Sequence, residues 1–413
     1  MSLIKALPLR YRLPLIHGTL GLIGKWRARH WTKATSAQAK TGPFIVSGFF
    51  NESIGVGRAG QLTAQALEAA GYPVQRHDIR SCFNHIKDQK AQLPGKNGGV
   101  WLIHANAPEA LVALLSHTPD QWSNRYRIGF WAWETPKAPE YWVWLATYFH
   151  EIWVPSRFVR DALTTAFVAY GADQCVERLR VMPHPAPEPP VKADRANFGL
   201  SPETCEVLSL FDAKSSAARK NPWAVIEAWT KAFPVPDTQR RLTLKVQDLN
   251  GDLSARTRLE ALTSQRPDIR LFTERLSDAD MGRFAASFDV LVSLHRSEGF
   301  GLSLSEAMQA GVPVMATGWS GNTDFMTSEN SRLISYQLIP LDDADGAYSA
   351  VKPDADQVWA EVDTDEAARA LYDLCTDPAL RQHLGDEART VTHQVNAPWS
   401  REALAPLPFN SWL

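Results

Sequence analysis

Cysteine is scarce in this sequence, and what there is stands apart. Cys82, Cys175, Cys205 and Cys375 form no C-x-x-C pair, so their spacing offers neither a disulfide framework nor a zinc site and fits a reducing compartment. Long hydrophobic runs are missing too. The apolar stretch from Leu13 to Gly24 is interrupted by His17 and is too short to span a bilayer. No small-residue cleavage site follows it, which argues against a signal peptide. Net charge is nearly absent, with 43 basic against 45 acidic residues, and this argues against a dedicated nucleic-acid binder. There is no short-period repeat and no low-complexity tract. What remains is a chain of 413 residues, 45% apolar and 21% charged, long enough for two globular domains with real cores.

Charge of one sign is missing locally as well. Residues 1–51 contain no Asp or Glu but eight basic residues: Lys5, Arg10, Arg12, Lys25, Arg27, Arg29, Lys33 and Lys40. The remainder, with 35 basic against 45 acidic residues, carries a formal charge of −10. Residues 1–42 therefore read as a basic N-terminal arm. Within it Ile16, Leu20, Ile23 and Trp26 fall on one helical face beside Lys25, Arg27 and Arg29. Such a stretch suits an anionic membrane surface, reached through residues 1–40. It equally suits a helix packed on the protein's own body, with Gly18, Gly21 and Gly24 allowing close approach. The expected location is cytoplasmic, at the inner face of a membrane where the first reading holds.

Beyond the arm, strand and helix patterns alternate. Pro43 to Phe50 reads as a buried strand, followed by a loop with Gly55 and Gly57 and a helix from about Ala59 to Ala70. Strands at 100–104, 128–133 and 151–154 follow, the last leading into a helix from Ser156 to Phe167. Residues 181–190, Val-Met-Pro-His-Pro-Ala-Pro-Glu-Pro-Pro, form a stiff linker. Alternation then restarts at Val207 and runs to the strand at 312–316, with helices after Asp363. The chain divides into domains at 43–190 and 191–395, with a tail at 396–413 that crosses back to the first. The expected class is α/β, two Rossmann-like domains facing across a cleft.

The densest signal lies at 296–307, Arg-Ser-Glu-Gly-Phe-Gly-Leu-Ser-Leu-Ser-Glu-Ala. A short apolar strand, Asp289 to His295, precedes it, and the helix from Leu302 closes at Gly311. Glu298 to Gly301 thus occupy a strand-to-helix loop, where open α/β sheets bind ligands. Glycines 299 and 301 let backbone approach a ligand, and the helix start offers amides to a phosphate. A carboxylate beside a diphosphate is repelled by it, so Glu298 and Glu306 are expected to accept hydrogen bonds from sugar and ribose hydroxyls.

This segment resembles the E-x7-E motif of retaining GT-B glycosyltransferases of the family 4 type. The resemblance covers roughly residues 43–395 and is strongest from Phe211 to Phe325. It implies that Glu298 contacts a donor sugar, that Glu306 binds the ribose, and that the amides of Gly299, Phe300, Gly301 and Leu302 hold the diphosphate. In the loop Phe211 to Pro222, Lys220 matches the family's lysine. The family's arginine has no exact counterpart, which leaves Arg219 or Lys214 as the partner cation. Gly321 and Asn322, in Ser-Gly-Asn-x-Asp-Phe, and the Trp131-x-Trp133-Glu134 segment resemble one subgroup. Gly55 and Gly57 are expected on the donor side, Glu134 in catalysis, and Trp131, Trp133, His104 and Asn106 on the acceptor side. No Asp-x-Asp closes a strand of the first domain. The resemblance therefore implies metal-independent transfer of a hexose of mannose, glucose or rhamnose type. The donor is a nucleotide diphosphate sugar and no cofactor is needed. The acceptor is a glycan or lipid-linked glycan of bacterial surface polysaccharide synthesis. A non-catalytic glycan-binding or partner subunit, and a glycan phosphorylase, share the architecture.

Overall fold

The computed structural model describes residues 9–35, 39–52, 54–187, 191–249, 253–343, 346, 348–349, 351 and 356–413. The chain forms two compact units. The first comprises Tyr11–Pro185 together with Val395–Leu413, and the second comprises Ala186–Gln394.

Six short strands build the first unit: β1 (Phe44–Gly48), β2 (Val74–Asp78), β3 (Val100–His104), β4 (Tyr126–Phe130), β5 (Glu151–Val154) and β6 (Leu179–Val181). They pair in parallel in the order β2-β1-β3-β4-β5-β6. The central strands are continuous apolar runs, buried throughout because helices cover both faces. β2, Val-Gln-Arg-His-Asp, is half-exposed, as suits an edge. Phe44, Val46, Leu102, Ile128 and Trp153 share a core with Trp399, Leu404 and Phe409 of the tail. The tail is held by polar contacts as well. Tyr72 donates its hydroxyl hydrogen to Asn410 Oδ1 at 2.8 Å, and Trp399 Nε1 donates to the Pro183 carbonyl at 2.7 Å.

The basic segment is not a separate arm. Its helix, Leu9–Arg27, packs on the first unit. A methyl group at Gly24 would sit 3.0 Å from Leu111 and Trp144, and Arg27 Nη1 donates to the Leu115 carbonyl at 2.8 Å. This corrects the expected outer face. Leu20 and Ile23 are half-buried. Ile16 of the expected face is 37% exposed, and the most exposed apolar residues of the helix are Tyr11 (58%), Leu15 (49%), Leu22 (73%) and Trp26 (63%). At 100° per residue these four fall within a narrow stripe, opposite the side that Gly24 and Arg27 press against the body. No described helix is long and apolar enough to cross a membrane.

The second unit repeats the plan with β7 (Cys205–Asp212), β8 (Arg240–Gln247), β9 (Ile269–Phe272), β10 (Val290–Ser293), β11 (Val314–Thr317) and β12 (Arg332–Ile334). The parallel order is β12-β11-β10-β7-β8-β9. β7 and β10 are neighbours although two strands, β8 and β9, separate them in sequence, so the strand order reverses between them. A crevice opens at the carboxyl ends of such a pair. A two-stranded antiparallel hairpin, β13 (Tyr336–Pro340) and β14 (Val358–Val362), completes the unit.

Candidate functional site

The loops that leave β7 and β10 meet at this reversal. After β7 the chain makes a four-residue helix, Ala217–Lys220, and then the longer helix Pro222–Ala232. Ser216 (φ 72°) and Asn221 (φ 50°) flank the short helix in left-handed backbone. Asn tolerates that region, whereas for Ser it costs on the order of 1 kcal/mol or more. The strained serine is held by what it bonds. Ser216 Oγ accepts from Arg219 N at 3.1 Å and donates to Asp343 Oδ1 at 2.9 Å. The result aims two successive cations, Arg219 and Lys220, at the loop after β10.

That loop carries Glu298. Lys220 Nζ makes a short ion pair with Glu298 Oε1, and Arg219 Nη1 lies 3.3 Å from Oε2. Arg219 is 3% exposed, and its guanidinium also donates to the Ser297 carbonyl at 2.8 Å and the Ser215 carbonyl at 3.2 Å. The Tyr348 ring lies 5.8 Å from the same guanidinium. Burial disfavours the Glu298 carboxylate, but Lys220 and Arg219 overcome it and hold the group at about 2. The pair of loops is tied by Arg296, whose N–H donates to the Arg219 carbonyl at 2.7 Å and whose guanidinium binds Glu361 on β14. One carboxylate between two cations leaves the cluster one positive charge in excess, which suits a polyanionic ligand.

The backbone of the β10 loop is shaped by glycine. Gly301 (φ 93°) caps the helix Leu302–Gln309, whose first backbone bond runs from Leu304 N to the Gly301 carbonyl at 2.9 Å. The amides of Leu302 and Ser303 precede that bond, at the positive end of the helix dipole. Gly321 N–H donates to the Glu298 carbonyl at 2.8 Å, and Glu298 N–H donates to Ser320 Oγ at 2.7 Å. A Cβ on Gly321 would lie 2.2 Å from the Gly299 carbonyl oxygen. Only glycine lets these two loops touch.

The sequence-based candidates separate under this geometry. Glu298, Arg219, Lys220, Gly299 to Leu302 and Gly321 lie together, with Glu306 half-buried on the adjoining helix. Phe300 is 4% exposed and packs on Phe325 at 4.9 Å, so its contribution is its backbone. Asn322 corrects an expectation. It is fully buried, and its amide donates to the Thr317 carbonyl at 3.0 Å, so it braces the loop and offers no side chain to a ligand. The Lys214 side chain lies outside the described residues.

In the first unit the corrections are larger. Trp131 is 0% exposed. Its indole lies over Gly129, packs on Trp142 and Phe149, and is core, not an acceptor platform. Trp133 (8% exposed) donates Nε1 to Thr135 Oγ1 at 2.6 Å and stacks edgewise on Trp142. His104, 2% exposed, stacks on Phe130 at 4.3 Å, and burial lowers its imidazole to about 3. The apolar strand ends simply continue inward. Asn106 Oδ1 accepts from Ala132 N at 2.8 Å, while Glu134 is half-buried beside it in sequence. Gly55 and Gly57 belong to the first turn of the helix Gly55–Ala69, not to a loop ahead of it. A Cβ at Gly57 would lie 2.5 Å from the Glu52 carbonyl oxygen, so that glycine is needed for packing.

Sequence reasoning missed Asp343, Tyr348 and His295. The first two reach the β7 loop from the segment between β13 and β14, and no local pattern connects them to it. His295, at the end of β10, is fully buried, and neither ring nitrogen has a hydrogen-bond partner among the described residues. Burial lowers it to about 4, against a smaller opposing pull from Glu298.

A model of family 4 glycosyltransferases in conflict systems matches residues 169–405. No curated protein matches the sequence. Among solved structures, the chain is similar to Anabaena HepE in complex with UDP and glucose, at 12% identity and a TM-score of 0.60, covering 89% of this chain and all of that one. It is similar to a sucrose-phosphate synthase from Thermosynechococcus elongatus at 16% identity and a TM-score of 0.63, covering 88% and 96%. WaaG, a glycosyltransferase involved in lipopolysaccharide biosynthesis, shares 14% identity at a TM-score of 0.56, covering 88% and 100%. At such identities the likeness establishes the fold.

Proposed function

Because this chain belongs to the family 4 glycosyltransferases in conflict systems, with the GT-B fold, we propose that it transfers a hexose from a nucleotide diphosphate sugar to a glycan or lipid-linked glycan, retaining the anomeric configuration. The observation that carries the proposal is the joined cluster of Lys220, Arg219 and Glu298 beside the start of the helix Leu302–Gln309. Departure of a nucleotide diphosphate develops negative charge on its phosphate oxygens. Preorganised cations and helix amides stabilise that charge without a reorganisation cost. In this reading Lys220 and Arg219 meet the leaving phosphates, and Glu298 orders the two cations and offers its outer oxygen to a sugar hydroxyl. Glu306 accepts from the ribose. The cluster supplies the positive charge that a metal ion would otherwise bring, so the transfer is proposed to run without one, and added Mg2+ or Mn2+ is expected not to raise turnover.

A donor screen tests the reading. The cognate among UDP-, GDP- and dTDP-sugars, at a hundred times its Kd, raises stability by about 2.7 kcal/mol, seen as a thermal shift. Glu306→Ala loses that shift at the same concentration. A protein stabilised by none of the donors, and releasing no nucleotide diphosphate from them, would refute the proposal.

We further propose that the acceptor is met at an anionic membrane surface on the cytoplasmic side, in surface polysaccharide synthesis. The exposed stripe of Tyr11, Leu15, Leu22 and Trp26, flanked by exposed Lys25, Arg29 and Lys33, supports this. The full chain is expected to float with vesicles containing phosphatidylglycerol, and a Leu22→Glu, Trp26→Glu double variant to stay behind. Equal flotation of both would count against it.

A further inference from the structure

We propose that the first unit binds one zinc ion between His77, Cys82 and His117. His77 lies on the edge strand β2, Cys82 on the 3-10 helix Ile79–Asn84 that follows it, and His117 directly after the helix Ala107–Ser116. One ligand atom from each lies within 4.8 Å of the other two. Cys82 and His117 are fully buried and His77 is half-buried.

The hydrogen bonds around the cluster prepare the imidazoles as ligands. His117 Nδ1 bonds the Ala113 carbonyl at 2.8 Å, and a carbonyl can only accept, so Nδ1 carries the hydrogen and Nε2 the lone pair. That buried Nε2 has no hydrogen-bond partner among the described residues. Leaving it so carries a desolvation cost that metal coordination would remove. His77 Nδ1 is 2.8 Å from Ser47 Oγ, which is itself held by the Trp101 Nε1 donor at 2.8 Å, so the ring is anchored through Nδ1 and Nε2 stands outside that pair. Imidazoles anchored through one nitrogen and ligating through the other are the usual arrangement around zinc.

The chemistry of the donor set points to the same ion. Two imidazoles and a thiol are borderline-soft ligands that suit Zn2+. A cysteine thiol is protonated at neutral pH, so binding breaks the S–H bond of Cys82, forms a zinc–thiolate bond and sends one proton to solvent. A tetrahedral ion with bonds of about 2.0–2.3 Å sets its ligands under roughly 4 Å apart, so binding would draw the three side chains closer together. Asp78 is already engaged by Arg80 N–H and the Asn51 amide, so water completes the shell. The ion would tie β2, the 3-10 helix and the end of the helix Ala107–Ser116 together. No local pattern points to this site, because the three residues match no metal-ligand spacing and meet only through folding.

The full chain, stripped with a chelator and desalted, is titrated with Zn2+ by calorimetry and with Co2+ by absorbance. We expect one equivalent bound, one proton released per ion, and a thiolate-to-cobalt charge-transfer band. Cys82→Ser and His77→Gln are each expected to lose the band, the second at a half-exposed edge-strand position where folding is least at risk. Wild-type protein that binds no stoichiometric zinc, or a band that persists in both variants, would overturn the proposal.

Discussion

Lys220→Ala is expected to lower kcat for sugar transfer by about 10²–10³, the loss seen when one preorganised charge donor is removed from a developing anion. The ammonium stands at the end of a strained helix turn and is 17% exposed, near enough to solvent to reach a ligand yet held by Glu298. Its removal leaves Arg219 alone beside the carboxylate. Because the interaction strengthens as the leaving group departs, the effect falls on kcat more than on KM. Lys220→Arg keeps the charge and is expected to recover part of the rate. Steady-state kinetics with the cognate donor decide the matter. Turnover of Lys220→Ala within a few-fold of wild type would remove this lysine from the chemistry.

Glu298→Ala is expected to destabilise the second unit by about 3–5 kcal/mol, the range for breaking one partner out of a buried ion pair. The substitution leaves Arg219, 3% exposed, facing Lys220 without the intervening carboxylate. The same carboxylate makes a pH signature. Its folded value, held at about 2 by Lys220 and Arg219 against burial, lies below that of an unfolded glutamate, near 4.3–4.5. A depressed folded value means stability that is fully present above about pH 4.5 and is lost as pH falls towards 2. The amount is about 3 kcal/mol at neutral pH. Other carboxylates titrate in the same window, so the readout is a difference. Denaturant unfolding from pH 7 to 2 should show wild type losing its advantage over Glu298→Gln below about pH 4.5. Parallel curves for the two proteins would mean that the cations do not hold Glu298 as the geometry indicates.

Much of the candidate site could be read from local pattern. The apolar run of β10, the glycines at 299 and 301 and the helix after Leu302 are consecutive in the chain. Strand, turn and helix propensities act on consecutive residues. The cations at 219 and 220 could be located in a strand-to-helix loop for the same reason. Their partner could not. Lys220 and Glu298 are separated by 78 positions, and Ser216 and Asp343 by 127. Nothing local specifies which charges neutralise each other across such distances.

The aromatic residues erred in the opposite direction. Trp131, Trp133 and His104 sit at strand ends, and strand ends face ligands in folds of this type. Their rings had an alternative the sequence does not reveal: Trp142 and Phe149, brought from a later segment, close over the two tryptophans, and His104 packs on Phe130 and His184. The basic helix misled by one face. Of its three glycines only Gly24 meets the body, together with Arg27; this turns Leu20 and Ile23 inward, while Ile16 and Trp26 of the expected face stay outside with Leu22.

By itself the sequence determined the two parallel sheets, the loop that joins a strand tip to the helix of Glu306, and the family. The sheets and the loop follow from periodicity and turn chemistry within a few consecutive residues, and the family from the resemblance carried by residues 296–307. Tertiary structure alone decided that Glu298 lies between two cations, that Asp343 and Tyr348 brace the β7 loop, and that His77, Cys82 and His117 converge. Charge pairing, ring packing and ligand clustering depend on which distant segments the closed sheets bring within a few ångströms, and that is a property of the whole fold.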